Sequence, residues 1–211
     1  ADCSKENLDL RLFDYTARRE KDDTFRVRSS VRGNRLDLQL TPVRPPILHG
    51  YKGNGVLDFP KARHNYYSLP RLETTGTIKT GRKAETVTGV SWMDHQYGFI
   101  YSEEFQGWDW MCVHLDSGVD LMFSQVRLYD GEALPQSCGA VMYPDGRAVL
   151  LSKQQFTLKP LRYWKSRLTG TTYGIDWEME VPEMGMRLIS RAHVDAQQMV
   201  LWPMVFWEGS N

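Results

Sequence analysis

Apolar and polar residues alternate with period two along this chain, and nowhere does an apolar stripe of period 3.6 persist for a useful length. Leu8, Leu10 and Leu12 alternate with Asp9 and Arg11, and Leu36, Leu38 and Leu40 with Asp37 and Gln39. Tyr173, Ile175, Trp177, Met179 and Val181 alternate with Gly174, Asp176, Glu178 and Glu180. Successive strand side chains point to opposite faces, so each run predicts a strand with one buried and one wet face. Turn residues punctuate the runs at Arg32-Gly33-Asn34-Arg35, Asp116-Ser117-Gly118, Tyr129-Asp130-Gly131 and Tyr143-Pro144-Asp145-Gly146. Short strands at roughly ten-residue spacing predict an all-β sandwich or barrel. Ala17 to Asp22 is the stretch compatible with a short helix. Thr41 to Gly55, rich in Pro and Gly, reads as a connection. Pro160 is expected to close a short strand at Leu158-Lys159. A waist at Asn65 to Arg71 is expected to separate residues 1–65 from a strand set beginning near Leu72.

Charge and length narrow the function classes. Lys plus Arg and Asp plus Glu number 26 each in 211 residues, with no long basic run. Binding to nucleic acid through phosphate neutralisation is therefore not expected. No apolar run approaches the ~20 residues of a membrane-spanning helix, and none resembles a secretory leader. Localisation stays open, a leader removed before Ala1 included. The three cysteines, Cys3, Cys112 and Cys138, form neither a disulfide framework nor a metal-type spacing. Cys112 reads as a small buried apolar residue.

The stretch from Val87 to Arg127 carries the densest chemistry. It interleaves Trp92, Asp94, His95, Tyr97, Trp108, Asp109, Trp110 and His114 within three strand-like runs. Buried polar groups need partners, so acids and imidazoles among indoles suggest a lined cavity rather than core filling. Period two places Trp92 and Asp94 on one face, with Met93, His95 and Tyr97 on the other. Trp108, Trp110, Cys112 and His114 share a face, opposite Asp109, Met111, Val113 and Leu115. Asp94 and His95 cannot both point inward unless a bulge intervenes. Asp109 sits on an apolar face that would raise its pKa if buried.

Trp92-Met93-Asp94-His95-Gln96-Tyr97-Gly98 resembles the W-x-D-H-x-[WY]-G signature of the lipocalin-like proteins grouped with carotenoid 1,2-hydratase (hydroxyneurosporene synthase) and AttH. Tyr66-Tyr67-Ser68 with Arg71, Gly107-Trp108-Asp109-Trp110 and Phe206-Trp207-Glu208-Gly209 are similar to further family stretches, in the same order. The resemblance implies paired lipocalin-like antiparallel β-barrels: a partial first barrel over 1–65 and a nearly complete second over 72–211. An earlier W-W-Y-type strand and strands beyond the W-E-G motif, usual in the family, are not found. Residues 1–65 are thus expected to form an open partial sheet. A partner subunit of a homo-oligomer, a missing segment or the second barrel would cover it.

Members of that family include hydratases of isoprenoid polyenes and natural-product cyclases. The resemblance therefore implies a cofactor-free enzyme taking an apolar polyene, isoprenoid or polyketide-like small molecule into an aromatic-lined cavity. The alternative is a non-catalytic carrier or stress-related binding protein. The expected catalytic residues are Asp94, with His95 and Asp109. Trp92, Tyr97, Trp108, Trp110, His114, Tyr66 and Trp207 are expected to line the ligand site. Asp94-His95 also fits a polar cluster at a strand end, Trp108-Asp109-Trp110 fits packing, and Trp207-Glu208 fits a hydrogen-bonded strand end. Asp94, His95 and His114 match no recognised ligand spacing, so neither metal nor cofactor is expected. His49, His64 and His193 are expected at the surface or in turns. No serine-nucleophile elbow or phosphate-cradling glycine loop occurs.

Overall fold

A computed structural model describes residues 2–3, 7–59, 62–99, 105–202 and 204–211. The chain opens as an antiparallel meander of β1 (Asp2–Cys3), β2 (Asp9–Leu12), β3 (Tyr15–Arg19), β4 (Phe25–Val31) and β5 (Asn34–Pro42). The β4–β5 hairpin turns through Arg32-Gly33, both at positive φ (48° and 82°). That handedness matches the natural twist of the strands it joins. In the stretch compatible with a short helix, Ala17 to Arg19 form the end of β3, where Thr16 to Arg19 pair with Arg28 to Phe25, and Glu20 to Asp22 lie in the connection that follows. No apolar helical stripe was present to hold that stretch against the ladder.

Beyond the Pro-rich link come β6 (Ile47–Leu48), β7 (Val56–Phe59), β8 (Ala62–Thr80) and β9 (Lys83–Phe99). β8 and β9 run for 19 and 17 residues, about three times the usual strand length. The reason is that β8 serves two sets of neighbours. One edge pairs with β9, while the other takes β5 at Leu72 to Lys79, β6 at Tyr67 and Ser68, and β7 at Ala62 to Asn65. The waist expected at Asn65 to Arg71 falls inside this strand, as a register shift between Leu69 and Leu72. Buried Pro70, lacking an N–H, sits in that bulge. One nine-stranded sheet, curled into a half-barrel, thus extends from β1 to β9.

Three smaller antiparallel sheets complete the fold. The first is β10 (Phe105–His114), β11 (Asp120–Leu128), β12 (Cys138–Met142) and β13 (Ala148–Ser152). The second is β14 (Thr157–Lys165), β15 (Thr172–Val181) and β16 (Met186–Ser190), and the third is β17 (Gln198–Leu201) with β18 (Met204–Trp207). The Asp116-Ser117-Gly118 turn closes β10–β11, with Gly118 N–H donating to Leu115 O at 2.9 Å. Pro160 does not end a strand. It lies within the edge strand β14 at a register shift, a place where a missing N–H costs no ladder bond.

The sheet β10–β13 is buried on both faces. Met122, Ala140 and Met142 pack with Ile47, Leu57, Phe59 and Tyr66 on one side. On the other, Leu121, Phe123, Val141 and Leu151 pack with Phe156, Met179 and Val181. Hence Leu121-Met122-Phe123 reads as a continuous apolar run without alternation. A third cluster of Phe25, Leu40, Leu69 and Leu72 fills the inner side of the first meander. Helix among the described residues is confined to three 3-10 turns, and no helix is long and apolar enough to cross a membrane. The architecture is all-β and lipocalin-like.

Candidate functional site

The register of the long hairpin creates the site. Ser68 on β8 stands opposite Asp94 on β9, and period two adds Tyr66 and Trp92 to the same face. Ser68, Tyr66 and Trp92 all converge on the Asp94 carboxylate. Trp92 Nε1–H donates to Asp94 Oδ1 at 2.6 Å, and the Ser68 hydroxyl donates to the same oxygen. Tyr66 O–H donates to Oδ2 at 3.0 Å, while Trp110 Nε1–H, arriving from β10, donates to the Tyr66 oxygen at 2.9 Å. The indoles of Trp92 and Trp110 meet edge to face, centroids 6.1 Å apart.

Asp94 as a residue is exposed, yet its two carboxylate oxygens are held by these donors. Lost hydration pushes its pKa up, and the bonds from Ser68, Trp92 and Tyr66 offset this only in part. Tyr66 is 1% exposed. Burial and the adjacent Asp94 charge push its phenol far above the usual range, so it stays protonated. The Cys112 and Cys138 thiols, within reach of the Asp94 charge, are pushed up by burial to about 12 and are inert at neutral pH. Cys112 is half-buried rather than buried.

A second polar cluster ties β8 to the β10–β13 sheet. Asp120 is fully buried and binds Arg44, Arg71 (Nη2 to Oδ1, 2.6 Å) and His114 (Nδ1 to Oδ1, 2.7 Å). Burial pushes the Asp120 pKa up, but the combined bonds from His114 and Arg71 and the charge of Arg44 bring it below the usual range. Arg44 also donates to Gly118 O. The His114 ring lies tilted beside that of Trp92, centroids 6.2 Å apart, so it borders the Asp94 site while being anchored to Asp120.

The other expected residues lie elsewhere. No bulge turns His95 around: it is on the face opposite Asp94, with Nδ1 3.0 Å from Tyr67 Oη and its ring 5.2 Å from Tyr97. Tyr97, 51% exposed, therefore faces away from Asp94 as well. Asp109 points to the far side of the β10–β13 sheet, near Gln125 and 3.2 Å from Arg127 Nε. Burial raises its pKa more than Arg127 and Gln125 lower it. Trp108 is half exposed and meets Phe206 at 6.4 Å. Trp207 belongs to the terminal hairpin, where its Nε1–H donates to Asp195 O at 2.7 Å. Glu208 N–H donates to Gln197 O at 3.2 Å, so this motif ties a strand end. Its Gly209 has no room for a Cβ, which would lie 2.4 Å from the Trp207 ring.

Two expectations for histidines are overturned, because both rings are buried: His49 is 1% and His64 4% exposed. His49 follows β6 and extends its register, its N–H donating to Tyr66 O at 3.1 Å. Gly50 then turns the chain at φ 90°, where a Cβ would lie 2.0 Å from Val56 O. The His49 ring lies 4.1 Å from that of Tyr66, and its Nε2 is 2.7 Å from Ser68 Oγ. Burial pushes its pKa down to about 4. Ser68 and Arg71 belong to the Tyr66-Tyr67-Ser68…Arg71 stretch and were legible as members of a motif. His49, Arg44 and Asp120 carried no local signal of their roles.

Among the described residues no group of three His, Cys, Asp or Glu side chains gathers in a way that could hold a metal. A cavity of about 270 Å³ is lined by Arg44, Pro46, Ile47, Met142, Tyr143 and Leu150, among others, and by none of the residues that contact the Asp94 carboxylate. The AttH-like family model matches residues 1–211. No curated protein matches the chain. The crystal structure of a candidate AttH (NE1406) from Nitrosomonas europaea superposes with a TM-score of 0.87 at 28% identity, over 98% of this chain and 65% of that one. Kievitone hydratase from Nectria haematococca superposes at 0.74 with 16% identity, over 93% and 61% respectively, a likeness of fold. The chain thus spans somewhat less than two thirds of the length of either solved relative.

Proposed function

Starting from the AttH-like family, to which this chain belongs over residues 1–211, we propose that it is a cofactor-free enzyme. It binds an apolar polyene, isoprenoid or polyketide-like molecule against Trp92 and Trp110, and Asp94 acts on a carbon–carbon double bond as a general acid. The observation that carries this reading is a carboxyl with a raised pKa, bonded to the Tyr66 phenol and the Trp92 indole, with Trp110 bonded to that phenol. In hydration the Asp94 proton forms a C–H bond and leaves a carbocation, which the indole faces stabilise by cation–π attraction. Water then bonds to the cationic carbon and returns its proton to the Asp94 carboxylate. No electrons are exchanged, and the acid is regenerated. Cyclisation would use the same wall to hold a folded chain, with proximity as the main contribution. Kievitone hydratase, whose fold is shared, is by its name a hydratase.

Asp94→Asn keeps the shape and cannot supply the acidic proton. The variant is expected to fold, to bind an apolar fluorescent probe with quenching of Trp emission, and to lose nearly all turnover of isoprenoid test substrates. Full activity in Asp94→Asn would remove the acid role. Ligand recovered unchanged from both proteins, without turnover, would make the chain a carrier.

A further inference from the structure

We propose that His49 and Ser68 are a positioning pair that confines the acid proton of Asp94 to Oδ2, the oxygen beside Tyr66. The functional meaning of this rests on the acid role of Asp94; the proton's location does not. Oδ1 already accepts from Trp92 Nε1–H and from the Ser68 hydroxyl, which occupies both of its lone-pair directions. A proton on Oδ1 would have to displace one donor. Oδ2 has one partner, the Tyr66 hydroxyl, and keeps a lone pair free for a proton.

The tautomer of His49 decides whether this arrangement holds. Ser68 has one proton. If it goes to Asp94, then His49 Nε2 must be the donor across the 2.7 Å contact, and Nδ1 carries only a lone pair. If instead Nδ1 carries the hydrogen, Ser68 must donate to Nε2, and Asp94 Oδ1 must be protonated to donate to Ser68. His49 Nδ1 is buried and has no hydrogen-bond partner. A buried N–H without an acceptor is rarer and costlier than an unused lone pair, so the Nε2–H tautomer prevails and Ser68 faces Asp94. The titratable groups in hydrogen-bond or electrostatic contact with Asp94 are Tyr66, Cys112 and Cys138, with His49 one bond further through Ser68, and these four are neutral at pH 7. His114 lies beyond the Trp92 indole and is tied to Asp120, so hydrogen-bond direction selects the oxygen.

Two measurements test the pair without any turnover assay. Nitrogen-15 shifts of His49 in the wild-type protein report its tautomer, and Nε2–H is expected; Nδ1–H would overturn the proposal. Carbon-13 titration of the Asp94 carboxyl is then compared across wild type, Ser68→Ala, His49→Phe and the double variant. Loss of the Ser68 bond is expected to make Asp94 about tenfold harder to ionise. His49→Phe is expected to shift the same titration, in the same direction and by less, and to have no further effect once Ser68 is gone. An equal shift from His49→Phe with and without Ser68 would refute action through the hydroxyl. These results stand or fall independently of the activity of Asp94→Asn, so failure of the acid reading and failure of the positioning pair are separable.

Discussion

Replacing Asp120 by Asn isolates the polar cluster that fastens β8 to the β10–β13 sheet. The carboxylate is fully buried and bound to Arg44, Arg71 and His114. The amide keeps its volume and removes its charge, leaving two guanidiniums facing a neutral group. Breaking a buried ion pair from one side costs about 3–5 kcal/mol. The Arg71 side chain is 19% exposed and regains some water, whereas Arg44 at 8% cannot. The lower end, about 3 kcal/mol, is therefore expected, out of a typical total of about 5–15 kcal/mol. At about 2–4 °C per kcal/mol for a chain of this size, the midpoint of thermal unfolding falls by about 6–12 °C. The sign with pH follows from the depressed pKa of Asp120 in the folded state. Its stabilisation is complete above the unfolded value near ~3.9 and disappears as pH falls through the lower folded value. Urea titrations followed by Trp fluorescence at pH 7, 5 and 3 should show a constant gap between variant and wild type at the first two, narrowing at the third. A gap below about 1 kcal/mol at pH 7, or one that persists unchanged in acid, would refute the reasoning.

His49 should give the opposite kind of pH dependence to a paired histidine. Its folded pKa of about 4 lies below the ordinary histidine value of 6.5. The unfolded chain therefore binds the proton first, and about 3 kcal/mol of stability present above pH 6.5 is lost as pH falls toward 4. His49→Gln should flatten that part of the stability profile, and an unchanged slope between pH 6.5 and 4.5 would count against a buried neutral ring. Gly50→Ala forces a Cβ into Val56 O at φ 90°, with about 1–3 kcal/mol from backbone conformation alone. Its thermal midpoint should drop, and the Nε2 resonance of His49 should move; a wild-type midpoint would show that the turn tolerates a side chain.

Alternation alone settles much of the fold. A period of two leaves no freedom about which neighbours share a face, so Trp92 with Asp94, and His95 with Tyr97 opposite, followed from spacing once these residues were strands. Turn residues settled where hairpins close, because few residues accept the positive φ that Gly33 and Gly118 adopt. The motif stretches likewise marked Tyr66, Ser68, Arg71, Asp94 and Trp110 as members of one family pattern. Which face of β9 meets an acid-supporting environment was decided by what lies across from it. The Ser68 and Tyr66 hydroxyls come from 26 and 28 residues away. Arg44 reaches Asp120 across 76 residues, and His49 reaches Ser68 across 19, through a two-residue strand and a glycine turn. Asp109 shows the same divide: its apolar neighbours were legible, but not that its face looks across the β10–β13 sheet toward Met179 and Val181. Strand periodicity is a local property of the chain, whereas the polarity of a site depends on partners that only long-range strand pairing brings within hydrogen-bond distance.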